Sequence, residues 1–262
     1  MRKVLLAGET WITYKIDVKG FSAYTTSSYG EAQTEFVQAI ESFGHEVTHI
    51  PNHTAVEQFP WTVEEVSAYD VVILSDISAD TLQIHPDCFD RGQQTPDRLR
   101  VLRDWVHGGG GLLMVGGYMS FSGLEGKARY QATPLADVLP VQMLGFDDRV
   151  ETPEGVTPRP KEPHVVLEGL SELWPHFLGY NRVRAKSGTQ VLMSVDEDPF
   201  LVVGEFGEGR TAAFASDCSP HWGSPEFLLW SDYALFWGQL MEWLGSAGEG
   251  VKADSGSAAA AG

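Results

Sequence analysis

Four ionisable side chains, Glu9, Asp76, Asp217 and His221, each stand shortly after an apolar run, and their types suffice for acid/base chemistry. An imidazole titrates near neutrality and can give or take a proton. Asp217, four residues before His221, is placed to orient that ring. Glu9 and Asp76 are candidates for a catalytic base or a metal ligand. Around them Ser75 and Ser120 offer hydroxyls, and His53 follows another short apolar run. The amides of Gly116 and Gly117 offer a cradle for an oxyanion. Each residue also has a plainer reading. Ser75 and Asp76 can cap a turn, and Asp217 can tie residues 216–223 by Asx-type hydrogen bonds. Gly116 and Gly117 can simply allow a tight bend, and His221 can pack beside Pro220 and Trp222.

Metal chemistry is the second option. His45, His49 and His53 have a suggestive spacing, but the segment reads as a strand, where positions four apart lie ~13 Å apart. They share no metal unless the chain bends at Pro51. A mixed set of Glu9, His53, Asp76 and His221 would suit a divalent cation, since carboxylate and imidazole ligands combine readily. Beyond that open metal option, no cofactor is expected. The chain has no G-x-G-x-x-G, no G-x-x-x-x-G-K-[ST] and no G-x-S-x-G, which argues against dinucleotide binding, phosphate-loop chemistry and serine-hydrolase catalysis.

These residues matter only if the elements carrying them bring them together. Residues 4–7, 46–50, 71–74 and 112–115 are short apolar or alternating runs that read as strands. Helices fit residues 31–43, with Gly44 as a C-terminal stop, residues 62–68 behind a Thr cap, and a segment opened by Thr95-Pro96-Asp97. Residues 9–29 read as a long polar and aromatic loop. Later come strands at 190–195, 200–205 and 211–215, the last two joined by a tight turn at Gly207-Glu208-Gly209. A final helix fits residues 229–244. Alternating strands and helices imply an α/β fold in three layers, with a mainly parallel open sheet, helices on both faces and a late antiparallel hairpin. In such sheets ligands bind beyond the carboxyl ends of the strands, which is where the candidate residues fall. Residues 1–245 read as one domain, with 124–186 an irregular excursion on it and 246–262 a flexible Gly/Ala/Ser-rich tail.

Composition narrows the partners. The 262 residues carry a formal net charge of −18, which repels nucleic acid and anionic membranes alike. No apolar run is long enough for a signal sequence or a membrane span. The two cysteines, Cys88 and Cys218, form no disulfide framework and fit a reducing, cytoplasmic setting. A small polar ligand is the expected partner. A homo-oligomer is a further expectation, with Trp230, Phe236, Trp237 and Trp243 of the final helix as its interface.

Several stretches resemble the class I glutamine amidotransferase-like superfamily, within it an uncharacterised bacterial branch. They are Gly8-Glu9-Thr10-Trp11, Lys19-Gly20-Phe21, Tyr69-Asp70 to Ser75-Asp76, the run Gly116-Gly117-Tyr118-Met119-Ser120-Phe121-Ser122-Gly123, Asp147-Asp148-Arg149-Val150-Glu151, and Ser216-Asp217-Cys218-Ser219-Pro220-His221-Trp222-Gly223. The resemblance implies a flavodoxin-like strand order. It also implies a nucleophile elbow near Val115-Gly116-Gly117-Tyr118, where the family's cysteine is missing, and a late catalytic histidine at His221, where Trp222-Gly223 replaces the usual proline and glutamate. A glycine cannot attack a carboxamide, so the thioester route is closed. A related branch of this fold acts on or binds carbohydrates. The expectation is therefore hydrolase- or lyase-like acid/base chemistry on a carbohydrate- or amide-like molecule, with a non-catalytic binding or assembly scaffold as the alternative. Glutaminase activity through Cys218 is the weakest reading.

Overall fold

Strands that are apolar on both faces must be covered on both faces, and the computed structural model, which describes residues 1–247, satisfies that demand with helices. In chain order the first half comprises β1 (Lys3–Gly8), β2 (Thr10–Lys19), β3 (Ser22–Glu31), α1 (Thr34–Ser42), β4 (Glu46–Ile50), α2 (Asn52–Gln58), α3 (Val63–Val66), β5 (Val71–Ser75), α4 (Ala79–Gln83), α5 (Pro86–Phe89), α6 (Arg98–His107) and β6 (Gly111–Val115). The second half comprises α7 (Leu135–Val138), β7 (Val141–Met143), β8 (Arg149–Val156), β9 (Arg159–Pro160), β10 (Phe177–Asn181), β11 (Val183–Ala185), β12 (Gln190–Val195), β13 (Asp198–Phe206), β14 (Gly209–Phe214), α8 (Pro225–Leu228) and α9 (Tyr233–Gly245). Among the described residues no helix is long and apolar enough to cross a membrane.

The main sheet runs β4-β1-β5-β6-β14-β13-β12-β9. The first five strands are parallel and, counted along the chain, stand in the order 2-1-3-4-5 of a flavodoxin-like sheet. β13, β12 and β9 extend it antiparallel. Register is what aligns the site. Gly8 pairs with Ser75, Ser75 with Val115, and Val115 with Phe214, so four strands end on one line. Gly8 cannot be otherwise, because a Cβ there would sit 1.6 Å from the Ser75 carbonyl oxygen. On one face α1 packs on α9, with Phe36 edge-on to Trp237 at 4.7 Å. On the other, α3 and α4 pack against α6, and α2 packs on α4.

Several expectations change. Residues 9–29 are not a loop: β2 and β3 form a ten-pair antiparallel hairpin, whose alternation is hidden in the sequence by the many Thr and Ser residues. The helix after Thr95 is capped by Asp97, whose carboxylate accepts from Leu99 and Arg100. The last helix begins at Tyr233, and Leu229 is exposed after the separate turn of α8. Residues 124–186 contain two small ladders, β8 with β10 and β7 with β11, and supply β9 to the main sheet. Of the stretch read as a tail, Ser246 accepts from Arg210 at 2.5 Å and Ala247 is buried, while the remainder lies outside the described residues. Of the aromatics expected at an interface, Phe236 and Trp237 are buried in the intrachain core, while Trp230 and Trp243 are partly buried against it.

One buried cation fixes the helices beside the site. Arg98, at the start of α6, is fully buried and has no carboxylate within hydrogen-bond reach. It donates instead to the carbonyls of Ala55, Val56, Thr81 and Leu82, closing the carboxyl-terminal turns of α2 and α4. Its guanidinium lies 4.2 Å from the Trp61 ring centre. Burial lowers it to about 10, which leaves it charged. Arg98→Leu, which removes every donor while keeping an apolar stem, should lower unfolding free energy by about 3 kcal/mol or more, measured by urea titration.

Candidate active site at the strand ends

The aligned strand ends place Glu9 after β1, Ser75 and Asp76 at and after β5, and Asp217 to His221 after β14. Three of these positions have backbone angles that L-residues avoid: φ is 57° at Glu9, 46° at Asp76 and 151° at His221. Such angles persist where surrounding structure forces them, and they cluster at functional sites.

Glu9 is buried among hydroxyls. Ser75 Oγ donates to its Oε1, and Ser219 Oγ lies 2.8 Å from its Oε2. The same Ser219 hydroxyl lies 2.9 Å from Asp217 Oδ1, which also accepts from the Ser219 amide at 3.1 Å. A hydroxyl carries one proton, so it cannot donate to both carboxyl groups. The contacts are all satisfied when Glu9 is protonated and donates to Ser219, which in turn donates to Asp217. Burial, then the charges of Asp217 and Asp76, push the Glu9 carboxyl up to about 8, in agreement with that arrangement. The outer oxygen of Asp217 lies 3.4 Å from His221 Nδ1. The Asp217 side chain is 6% exposed and the His221 side chain 39%, so the imidazole is the solvent-facing end of the chain of contacts. Burial pulls the His221 pKa down, but the hydrogen bond and charge of Asp217, with Asp76 and Glu151, outweigh it and raise it overall.

Asp76 joins from the neighbouring strand. Its Oδ1 accepts from the Met119 amide at 2.7 Å, and its own amide donates to Ser120 Oγ at 3.1 Å. Burial and then the Asp217 charge raise its carboxyl. The structure therefore brings together Glu9, Ser75, Asp76, Ser120, Asp217 and His221. It does not bring in His53, which stands on α2 with its ring 5.3 Å from Tyr29. His53 lines a separate cleft of about 300 Å³ with Thr10, Trp11, Ile12 and Asn52. His45 and His49 are likewise apart, His49 bonded to the Gly8 carbonyl and His45 facing Gly238.

Gly116 and Gly117 do not form an oxyanion cradle. The Gly116 amide donates to the carbonyls of Phe214 and Ser216, and the Gly117 amide to Asn181 Oδ1 at 2.9 Å. Sequence reasoning missed Asn181 and Asp148, which hold this loop. Asn181 Nδ2 donates to Asp148 Oδ1, and Asp148 accepts from the amides of Ser122 and Gly123. Glu151 was missed as well. It accepts from Tyr118 Oη at 2.9 Å and Trp222 Nε1 at 3.0 Å, bracing the two rings that flank His221. The acidic run at 147–151 was the available signal. Ser219, the pivot of the network, had none beyond its place between Asp217 and His221.

Residues 3–246 match the family described as "Putative glutamine amidotransferase". The chain belongs to this glutamine amidotransferase-like family. Two Salmonella typhimurium structures are similar throughout. Cytoplasmic Protein STM3548 is 40% identical, with 93% of this chain and 99% of that chain covered and a TM-score of 0.89. Cytoplasmic Protein STM1381 from strain LT2 is 43% identical, with 92% and 99% covered and a TM-score of 0.89. No curated protein matches the sequence.

Near residues 115–118, where the resemblance implies a nucleophile elbow, the chain has no cysteine, and the packing of its two glycines disfavours one. β6 ends at Val115, and the segment after it turns irregularly, the next α-helix being α7. Gly117 has φ 144°, and a Cβ there would lie 3.0 Å from Asp76 Oδ1. A Cβ on Gly116 would lie 2.5 Å from the Ala215 carbonyl oxygen. Neither position accepts a cysteine as the loop stands. Cys218 is buried, 3.7 Å from Ser75 Oγ, and burial followed by the Glu9 and Asp217 charges pushes its thiol well above the ordinary value. That makes it a poor nucleophile. Glu9, Asp217 and Cys218 each offer a ligand atom, and these atoms lie within 4.8 Å of one another, a candidate divalent-metal triad that differs from the set with His53 expected from sequence. Binding there would require Glu9 and Cys218 to shed protons, so it would strengthen with pH.

The protonated Glu9 makes a stability prediction. Raised from 4.5 to about 8, it holds in the folded state a proton that the unfolded chain has lost, so its contribution is fully present below about 4.5 and is lost as pH rises through 8. Wild-type melting temperature should fall between pH 6 and 9. In Glu9→Gln, which mimics the protonated acid, most of that fall should vanish, and the variant should be the more stable of the two at pH 9.

Proposed function

We propose that this protein is an acid/base enzyme acting on a small, polar, uncharged or cationic molecule of carbohydrate- or amide-like chemistry, without a cysteine nucleophile. The observation that carries the reading is the pairing of a buried carboxylate, Asp217, with a solvent-facing imidazole, His221, at the carboxyl ends of parallel strands. In this reading Asp217 fixes the tautomer and orientation of His221, and His221 transfers the proton to or from substrate through its outer nitrogen. Protonated Glu9 keeps Asp217 from being shared with a second negative charge. Asp76 adds to the negative field at the ring and fixes the Met119 backbone beside it. That field disfavours anionic substrates, while carboxylate oxygens and the Tyr118 ring suit hydroxyl and amide donors. Ser75 supports the Glu9 carboxyl and Ser120 the Asp76 backbone amide, rather than reaching substrate. We place the protein in the cytoplasm, a setting supported by the names of the two Salmonella relatives and by its free thiols. Its acidity argues against nucleic acid as a partner.

A second reading has its own support. The Glu9 oxygens and the inner Asp217 oxygen are already spent on internal hydrogen bonds, as they would be in a non-catalytic scaffold. Two measurements separate the readings. Wild type screened against neutral glycosides and carboxamides should turn one class over, and His221→Asn should lower kcat by about 10²–10⁴. By NMR the His221 ring should titrate above 6.5, and Asp217→Asn should bring that midpoint down. Absence of turnover across the panel, together with a His221 midpoint insensitive to Asp217→Asn, would establish the scaffold reading instead.

A further inference from the structure

The β2–β3 hairpin is a ten-pair ribbon that begins one residue after Glu9 and leaves the body of the protein. Its ends are fixed at the root, where the Glu9 amide donates to the Ser75 carbonyl and the Ala32 amide to the Glu9 carbonyl. Beyond the root, nearly every residue of both strands is exposed. At ~3.4 Å per residue the strands reach ~30 Å. A bare two-stranded ribbon is marginal in water, so something must cover one this long.

The register shows which face needs cover. Ile12 pairs with Tyr29, Tyr14 with Ser27, Ile16 with Thr25 and Val18 with Ala23, and directly paired residues share a face. One face is thus Ile12, Tyr14, Ile16, Val18, Ala23 and Tyr29 with only Ser27 and Thr25 between them, and beyond Glu31 at the root it bears no charge. The opposite face carries Lys15, Asp17 and Lys19, and it is finished for water: Lys15 pairs with Asp17 at 3.1 Å, Lys19 lies over Tyr24, and Trp11 covers Gly30. Tyr14, Ile16 and Val18 are 69%, 68% and 70% exposed, and Phe21 at the turn is fully exposed. With aromatic side chains presenting up to about 150–250 Å² each, this face and Phe21 offer on the order of 800 Å², about what each partner contributes to a stable interface.

We propose that this face is the interface of a homodimer, the apolar face of one arm lying against the same face of the arm of a second copy around a twofold axis. Charge decides where a second copy can dock. The chain carries −18 overall, so two copies repel across most of their surface. Residues 10–31 hold two lysines, Lys15 and Lys19, against two acids, Asp17 and Glu31, a net of zero. The apolar face is where copies meet at no electrostatic cost, and an uncharged face is complementary to itself, as an isologous contact requires. The final helix, expected from sequence to serve as the interface, has Phe236 and Trp237 committed to the core. The arm takes over that role. The proposal is independent of the acid/base reading.

Sedimentation equilibrium on the full chain tests it. Wild type should be dimeric at 10 µM. Ile16→Glu places a charge at the centre of the face and, being exposed in the monomer, should leave the circular dichroism unchanged while raising the dimer dissociation constant by roughly 100-fold or more. A second readout fixes geometry: in a Cys88→Ser background, Ile16→Cys should give a disulfide-linked dimer under mild oxidation. A monomeric wild type, or a dimer indifferent to Ile16→Glu, overturns the proposal. So does a dimer sensitive to Ile16→Glu in which Ile16→Cys fails to cross-link, because the arm would then lie against the partner's body.

Discussion

Ser219 has one proton to give and two carboxyl groups within reach of it. The rest of the site is organised around that shortage. Three acidic side chains crowd together where parallel strands end, Glu9 and Asp217 buried and Asp76 partly so, and three negative charges in so small a volume would repel one another and lose hydration. Keeping a proton on Glu9 removes one charge, and backbone amides at Met119 and Ser219 compensate the other two. The imidazole of His221 then faces solvent. The same shortage explains the inertness of Cys218: a thiolate between Glu9 and Asp217 would add a further negative charge with nothing to balance it.

Holding such a cluster demands a rigid frame, and polar side chains supply it where the backbone is irregular. Asn181 spans the loop after β6, taking the Gly117 amide and donating to Gly117 and Asp148. Asp148 in turn fixes the next two amides, at Ser122 and Gly123. Arg98 does the equivalent for α2, which carries His53, and for α4. These are buried polar groups with their partners in place, an arrangement that specifies one geometry rather than merely adding stability.

Much of the fold was legible in the sequence because strands buried on both faces write themselves as apolar runs: residues 71–74 and 112–115 could hardly be anything else. The strand-end rule then gathered Glu9, Ser75, Asp76, Ser120, Asp217 and His221 without knowledge of contacts. What stayed hidden depends on direction. Nothing in Gly116-Gly117 reveals that their amides turn inward to Phe214, Ser216 and Asn181. His53 follows a strand end as the others do, but β4 lies at the edge of the sheet, and α2 carries the ring toward Tyr29 instead. The hairpin at 10–31 escaped notice because Thr and Ser fill its second strand, so alternation is visible only once register is known.

The close approach of Asp76 to Gly117 has a consequence for descent. In this chain the space beside Gly117 is held by the Asp76 carboxyl, which accepts from the Met119 amide while the Asp76 amide donates to Ser120. No single codon change places a working thiol there, since the backbone angle, the neighbouring acid and its hydrogen bonds must shift together. The intermediates on that path would have lost one arrangement before gaining the other. A lineage with this packing is therefore insulated from acquiring a thiol at Gly117 one substitution at a time.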